Sequence, residues 1–149
     1  MKHIIDTIEK DGEILTIWHS DTLIGIPPLE LMFECYLEIL KSGMVLPGIP
    51  FRNGNRIIWI ENSQCEVITG QVYEYIEDRK EGWIMMGFTG PMFRGCGFYQ
   101  MCHEYLIKTI KNRGGISIGS IVSVNNESMI KAALKKGITL DHYRTIQWI

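Results

Sequence analysis

Apolar positions change their spacing several times along the chain, and each change marks an element. Residues 13–18 form a short apolar run with β-branched members, the signature of a strand. Pro27 and Pro28 suit the first turn of a helix. Leu29, Phe33, Tyr36, Leu37 and Leu40 then recur at helical spacing until Ser42 and Gly43 stop it, and that stripe is expected to pack on a sheet as core. Residues 43–55 hold two prolines and several Gly and Asn without apolar period, and read as a loop. Residues 56–61, 66–77 and 83–89 read as three strands of a meander joined by the polar turns 62–64 and 78–82. Ile57, Ile58, Trp59 and Ile60 are apolar on both sides, as in a central strand covered on both faces.

The second half alternates helix and strand. Phe98, Cys102, Leu106 and Ile110 share one helical face, closed by Arg113-Gly114-Gly115, and residues 116–122 follow as a strand. Strand, helix and strand in that order predict a right-handed crossover. Asn125 or Asn126 caps a further helix with Met129, Ile130, Ala133 and Leu134 inward and Lys135-Lys136-Gly137 at its end, and residues 142–149 form a last strand. The aromatics Trp59, Tyr73, Tyr75 and Trp83 alternate on strands and are expected in the core, with a dimer surface as the other reading.

Candidate chemistry sits between the strand 83–89 and the helix that follows. Gly90-Pro91-Met92-Phe93-Arg94-Gly95-Cys96-Gly97-Phe98-Tyr99 leads directly into the helix. A helix's first turn leaves N–H groups unpaired, and its dipole puts partial positive charge at the same end, so anions settle there. Gly95 and Gly97 allow positive φ and close approach of a ligand, and Arg94 adds a fixed charge. A P-loop would need Gly-Lys-Ser/Thr where this chain has Gly97-Phe98-Tyr99. A dinucleotide fold would need a glycine at Gln100 and an acid near Ser117. Neither fits.

The run Pro91-x-x-Arg94-Gly95-x-Gly97, then strand 116–124, then an Asn126-led helix ending at Gly137 resembles the acyl-CoA-binding half of the GNAT N-acyltransferase superfamily. Residues 81–149 carry the resemblance well, and residues 1–80 fit as a coarse pattern of the acceptor-side half of one domain spanning 1–149. The resemblance implies an α/β (α+β) fold, a mixed twisted sheet of about six to seven strands with helices on both faces. It implies that Arg94, Gly95, Cys96, Gly97, Phe98 and Tyr99 bind the pyrophosphate of acetyl-CoA through backbone amides, and that backbone groups near Phe88 and Thr89 hold the pantetheine arm where strands 83–89 and 116–122 splay. Asn126 would bond the same arm, a role compatible with helix capping. The implied activity is direct acetyl transfer to an amine, with a backbone N–H at the splay facing the oxyanion. Acetyl-CoA is then a co-substrate, and Phe51 and Arg52 are candidates for contact with the acceptor.

Two residues depart from the family pattern. Tyr99 stands where Gly or Ala is usual, and its side chain is expected close to the phosphates. Ala133 stands where many members carry the tyrosine that protonates the thiolate. Glu74, Glu77 and Ser123 are possible bases near the splay and His103 lies one turn into the helix, but the sequence assigns no catalytic residue. The rival reading is a module that keeps the fold without turnover. A third is a regulator binding another phosphate ligand at the same turn.

Composition narrows the field. The sequence has 149 residues, enough for one domain with its own core, and a net charge of −2 without a basic block, so no nucleic-acid partner is expected. Cys35, Cys65, Cys96 and Cys102 form no Cys-x-x-Cys pair and no metal is expected. Cys96 is either a thiol activated by the helix N-terminus or a small residue at a variable motif position. The opening residues mix charges with isoleucines and no apolar run reaches a membrane span. The expectation is a cytoplasmic protein with reduced thiols, monomer or homodimer, with no membrane partner.

Overall fold

The computed structural model describes residues 1–44, 49–121, 127, 130, 131, 134, 139–141 and 144–148. Among the described residues the strands and the two fully described α-helices are, in chain order, β1 Lys2–Lys10, β2 Glu13–Ser20, α1 Leu29–Lys41, β3 Arg56–Glu61, β4 Val67–Ile76, β5 Glu81–Thr89, α2 Phe98–Asn112, β6 Ser117–Ile121, β7 Thr139–Asp141 and β8 Arg144–Trp148. The strands form one sheet in the order β1-β2-β3-β4-β5-β6-β8-β7. Among the described residues only the β5/β6 pair is parallel. Glu127, Ile130, Lys131 and Leu134 are helical, and the expected Asn cap, Ala133 and the Lys135-Lys136-Gly137 end lie outside the described residues.

The sheet has two strands more than the apolar pattern marks. β1 is charged and mostly exposed, as an edge strand can be, and its hairpin to β2 turns on Asp11 and Gly12, both at positive φ (53° and 81°). β7 is a three-residue strand that pairs with β8. β5 begins two residues earlier than expected, because the turn before it closes at Lys80 in the left-handed region.

Each face of the sheet carries its own core. On one face Cys102, Leu106 and Ile110 of α2 pack on Leu15, Ile17, Ile58, Ile60, Ile68, Tyr73 and Ile84. On the other, Met32 and Cys35 of α1 pack on Ile57, Trp59, Val72, Met85, Met86 and Phe88. The α2 face is the expected one. The α1 stripe is not: Leu29, Phe33, Leu37 and Leu40 are 40%, 51%, 39% and 52% exposed, and Met32 and Cys35 take the buried positions instead. Nine of the 13 residues of α1 are apolar, so periodicity alone leaves its orientation open. The strand aromatics are core as expected, with Trp59, Tyr73 and Tyr75 buried and Trp83 partly so.

Candidate functional site

The chain leaves β5 through Gly90, whose N–H continues the ladder to the Ile68 carbonyl (2.8 Å), and makes a single 3-10 turn over Pro91–Phe93. Arg94 is extended, then Gly95 and Gly97 take φ of 76° and 80°. A Cβ at either glycine would meet nothing within 4 Å, so glycine is required by backbone conformation, and the space beside the turn is open. Gly97 is the N-cap of α2 and supplies no side-chain cap. The first intrahelical bond runs from Met101 N–H to the Gly97 carbonyl (3.1 Å), which leaves the amides of Phe98, Tyr99 and Gln100 without a helical acceptor. Positive φ, open space and an uncapped helix dipole are the features by which a helix start can hold an anion.

Tyr99 does not crowd that seat. Its ring turns inward over Gly87 of β5, where a Cβ would come within 2.5 Å of the phenol oxygen and 2.8 Å of Cζ. Burial pushes the phenol pKa up, and Gln71 lies beside the hydroxyl. Gln71 is fully buried on β4 and pairs through Oε1 with His103 Nδ1 (3.2 Å). The expected contact between the Tyr99 side chain and the phosphates is therefore corrected: a missing side chain on the strand accommodates a large one on the helix. Phe98 likewise turns its ring to Phe93, edge-on at 6.2 Å, with Lys10 Nζ 4.7 Å over it. Cys96 is exposed, its S–H directed at the Arg94 carbonyl (3.7 Å).

Beside the turn, one edge of β5 is unpaired among the described residues. β5 and β6 pair at only four positions, from Glu81↔Ser117 to Ile84↔Ser120. Residues 85–89 have no β6 partner among the described residues, while the other edge of β5 stays paired with β4 as far as Thr69↔Thr89. A β-bulge lies where the described β5/β6 pairing ends: Tyr73 faces Ile84 and Val72 faces Met86, so Met85 is the extra residue, and Met85 and Met86 both bury on the α1 face. Phe88 is 3% exposed on that face and its carbonyl accepts from Thr69 Oγ1 (2.8 Å). Thr89 bonds Thr69 through its own hydroxyl (2.9 Å), and its carbonyl accepts Arg94 Nε–H (3.1 Å). Arg94 also donates to Glu38 on α1 (2.9 Å). Its charge therefore has a partner away from the turn, where the sequence reading expects it to face phosphate.

Phe88, Thr89, Arg94, Gly95, Cys96, Gly97, Phe98 and Tyr99 thus lie together from the open edge of β5 to the first turn of α2. Asn126 and Ser123 lie outside the described residues. The expected bases are spread out. Glu74 faces Trp83, one rung before the bulge, and pairs with Arg52 at 3.9 Å. Glu77 sits at the opposite end of β4 on Arg113, which removes it from the splay. Beside Arg52, Phe51 packs against Phe33 and Tyr36 of α1, at 5.9 Å and 5.4 Å between rings. It also lines two surface grooves of about 620 and 480 Å³ walled by Ile24, Ile26, Leu29 and Phe33. Gln71, Gly87 and Glu38 are the site-shaping residues that sequence reasoning missed. Only Gly87 carried a signal, as a lone glycine inside a strand.

No protein-family model and no curated protein sequence matches the chain. Its shape does match solved proteins. A GNAT-family acetyltransferase from Listeria monocytogenes aligns at TM-score 0.69 and 11% identity over 97% of this chain and 100% of that one. An IAA acetyltransferase from Bacillus cereus aligns at TM-score 0.62 and 11% identity over 91% and 99%. Nourseothricin acetyltransferase aligns at TM-score 0.56 and 15% identity, and this chain spans 65% of its length while 63% of this chain is covered. The shared feature is the architecture, and the chain has the GNAT acyl-CoA N-acyltransferase fold, in divergent form.

Proposed function

We propose that the protein moves an acetyl group from acetyl-CoA to an amine by direct transfer. The observation that carries this reading is the stretch of β5 over residues 85–89 with no β6 partner among the described residues, followed after one short turn by an uncapped helix N-terminus with two positive-φ glycines. That edge offers a row of backbone groups to the amides of pantetheine, and the turn of Gly95, Cys96, Gly97, Phe98 and Tyr99 offers N–H donors to the pyrophosphate. Asn126 is assigned to the pantetheine arm. The amine, with an ordinary pKa near about 10.4, sheds its proton and attacks the thioester carbonyl. A backbone N–H at the Met85 bulge faces the oxyanion, the carbon–sulfur bond then breaks, and the thiolate leaves with the coenzyme. Phe51 and Arg52 border the acceptor, and Glu74 is the acid–base group best placed to receive its proton. A cytoplasmic location goes with this reading.

Titration calorimetry with acetyl-CoA tests it. Micromolar binding by the intact protein, abolished in Gly97→Trp, supports the site, because an indole at that position fills the open space beside the turn. No binding by the intact protein overturns the reading. A second reading, a non-catalytic module, is favoured by the engagement of Glu77 with Arg113, His103 with Gln71 and Glu74 with Arg52. Acetyl-CoA binding without thiol release across a panel of primary amines would select it.

A further inference from the structure

The side chain of Arg94 is turned away from the glycines that follow it. Its Nε–H donates to the Thr89 carbonyl at 3.1 Å and its Nη2 to Glu38 Oε2 at 2.9 Å, with the same Nη2 4.0 Å from Cys35 Sγ. The Cys35 S–H is directed at the same Thr89 carbonyl, 3.9 Å away. Four residues from three segments therefore meet at the last residue of β5: Cys35 and Glu38 of α1, Thr89, and the first residue of the phosphate turn. A planar guanidinium can serve a carbonyl and a carboxylate at once because its N–H groups lie in a fixed fork, which an ammonium lacks.

Glu38 and Arg94 are about half exposed, at 54% and 48% for their side chains, so as an isolated surface pair they add little to folding stability. What the pair fixes is geometry. Thr89 ends the open edge of β5 and Arg94 begins the turn, so the orientation of both depends on where the guanidinium points. That orientation is set by a carboxylate 56 positions earlier in the chain.

We propose that Glu38, acting through Arg94, is a positioning residue: the two form a latch that ties α1 to the end of β5 and holds the open edge and the phosphate turn in register for the acyl donor. Arg94 is thus a structural fork, and the phosphate seat consists of backbone amides. The proposal rests on the acyl-CoA reading for its consequence and on the geometry around Thr89 for its existence.

The two roles open to Arg94 predict opposite signs. If Arg94 were a direct phosphate ligand, neutralising Glu38 would free it and tighten acetyl-CoA binding, and Arg94→Lys would keep the charge and most of the affinity. The latch predicts that Glu38→Gln and Arg94→Met both weaken acetyl-CoA binding, each by about five- to tenfold. It also predicts that the double variant is no weaker than Arg94→Met alone, and that Arg94→Lys fails to restore binding, since one ammonium cannot bridge Thr89 and Glu38. Tighter binding by Glu38→Gln, or rescue by lysine, would overturn it.

A second readout needs no coenzyme. Cys35 is 5% exposed beneath the latch. Its alkylation by iodoacetamide, followed by peptide mass spectrometry to separate it from the exposed Cys65 and Cys96, should accelerate in Glu38→Gln and Arg94→Met. Unchanged protection of Cys35 in both variants would dispose of the latch even if acetyl-CoA binds. Absence of acetyl-CoA binding by the intact protein, with Cys35 deprotected in the variants, would instead dispose of the acyl-transfer reading and leave the latch standing.

Discussion

Gly87→Ala is expected to destabilise the protein by about 1–3 kcal/mol and to abolish acetyl-CoA binding, although alanine is the smallest side chain available. The added methyl group would fall 2.5 Å from the Tyr99 hydroxyl oxygen, inside any permitted contact. The strand is pinned by β4 on one side, so the ring must move, and its way out leads toward the first turn of α2, where the anion seat lies. Tyr99→Ala alone should cost about 3–5 kcal/mol through the cavity left by the buried ring. The double variant is the decisive one. If the two residues share one space, Gly87→Ala should add almost nothing once Tyr99 is alanine. Urea denaturation of the four proteins would show it, and strictly additive losses would mean that the ring does not occupy the space over Gly87.

A pH effect of similar size is expected from a different part of the sheet. His19 is 5% exposed on β2, its Nε2 shares a hydrogen bond with the Tyr73 hydroxyl (2.8 Å), and its Nδ1 is buried without a hydrogen-bond partner. Burial holds its pKa down to about 4 from the model-peptide 6.5, with Asp21 opposing and His3 and Arg56 reinforcing. Tyr73, desolvated in turn, is pushed up to about 12. The folded state therefore keeps the imidazole neutral while the unfolded chain takes up a proton below about pH 6.5. Stability from this group is complete above pH 6.5 and is lost as pH falls toward 4, with a total near about 3 kcal/mol. His19→Gln keeps a partner for Tyr73 and removes the titration. Its denaturation midpoint should fall less than that of the unaltered protein between pH 7 and pH 4, and parallel pH profiles would refute the assignment.

How far the sequence reveals these features depends on whether the signal is local. The strand, glycine turn and helix from Trp83 to Asn112 are legible because each is specified by its own residues: β-branched and aromatic runs, glycines at the positions that need positive φ, then a 3.6-residue apolar period. The β1/β2 hairpin was equally local, since Asp11-Gly12 is a strong turn signal. It escapes a reading guided by hydrophobicity because an edge strand need not be apolar. The face of α1 is a different case. With apolar residues all around the helix, the choice of Met32 and Cys35 over Leu29 and Phe33 is made by the loops that set its position over the sheet, and no window of sequence contains that information. Tyr99 departs from the small residue that the resembled family usually has at the start of this helix. Its compensation, Gly87, lies on another element, so it becomes visible only when strand and helix are placed together.

The bulge at Met85 has a bearing on all of this, because in a strand side-chain direction is a matter of parity. One extra residue shifts the phase of everything after it, so Met86, Gly87 and Phe88 face the opposite way from the alternation that Trp83 and Ile84 begin. The same residues laid down without the bulge would turn Gly87 toward α1 and present the Met86 side chain to the Tyr99 ring. The bulge, the glycine that follows it and the tyrosine at the start of α2 therefore belong together, because the space over Gly87 that takes the ring exists on the α2 face only in that phase of the strand.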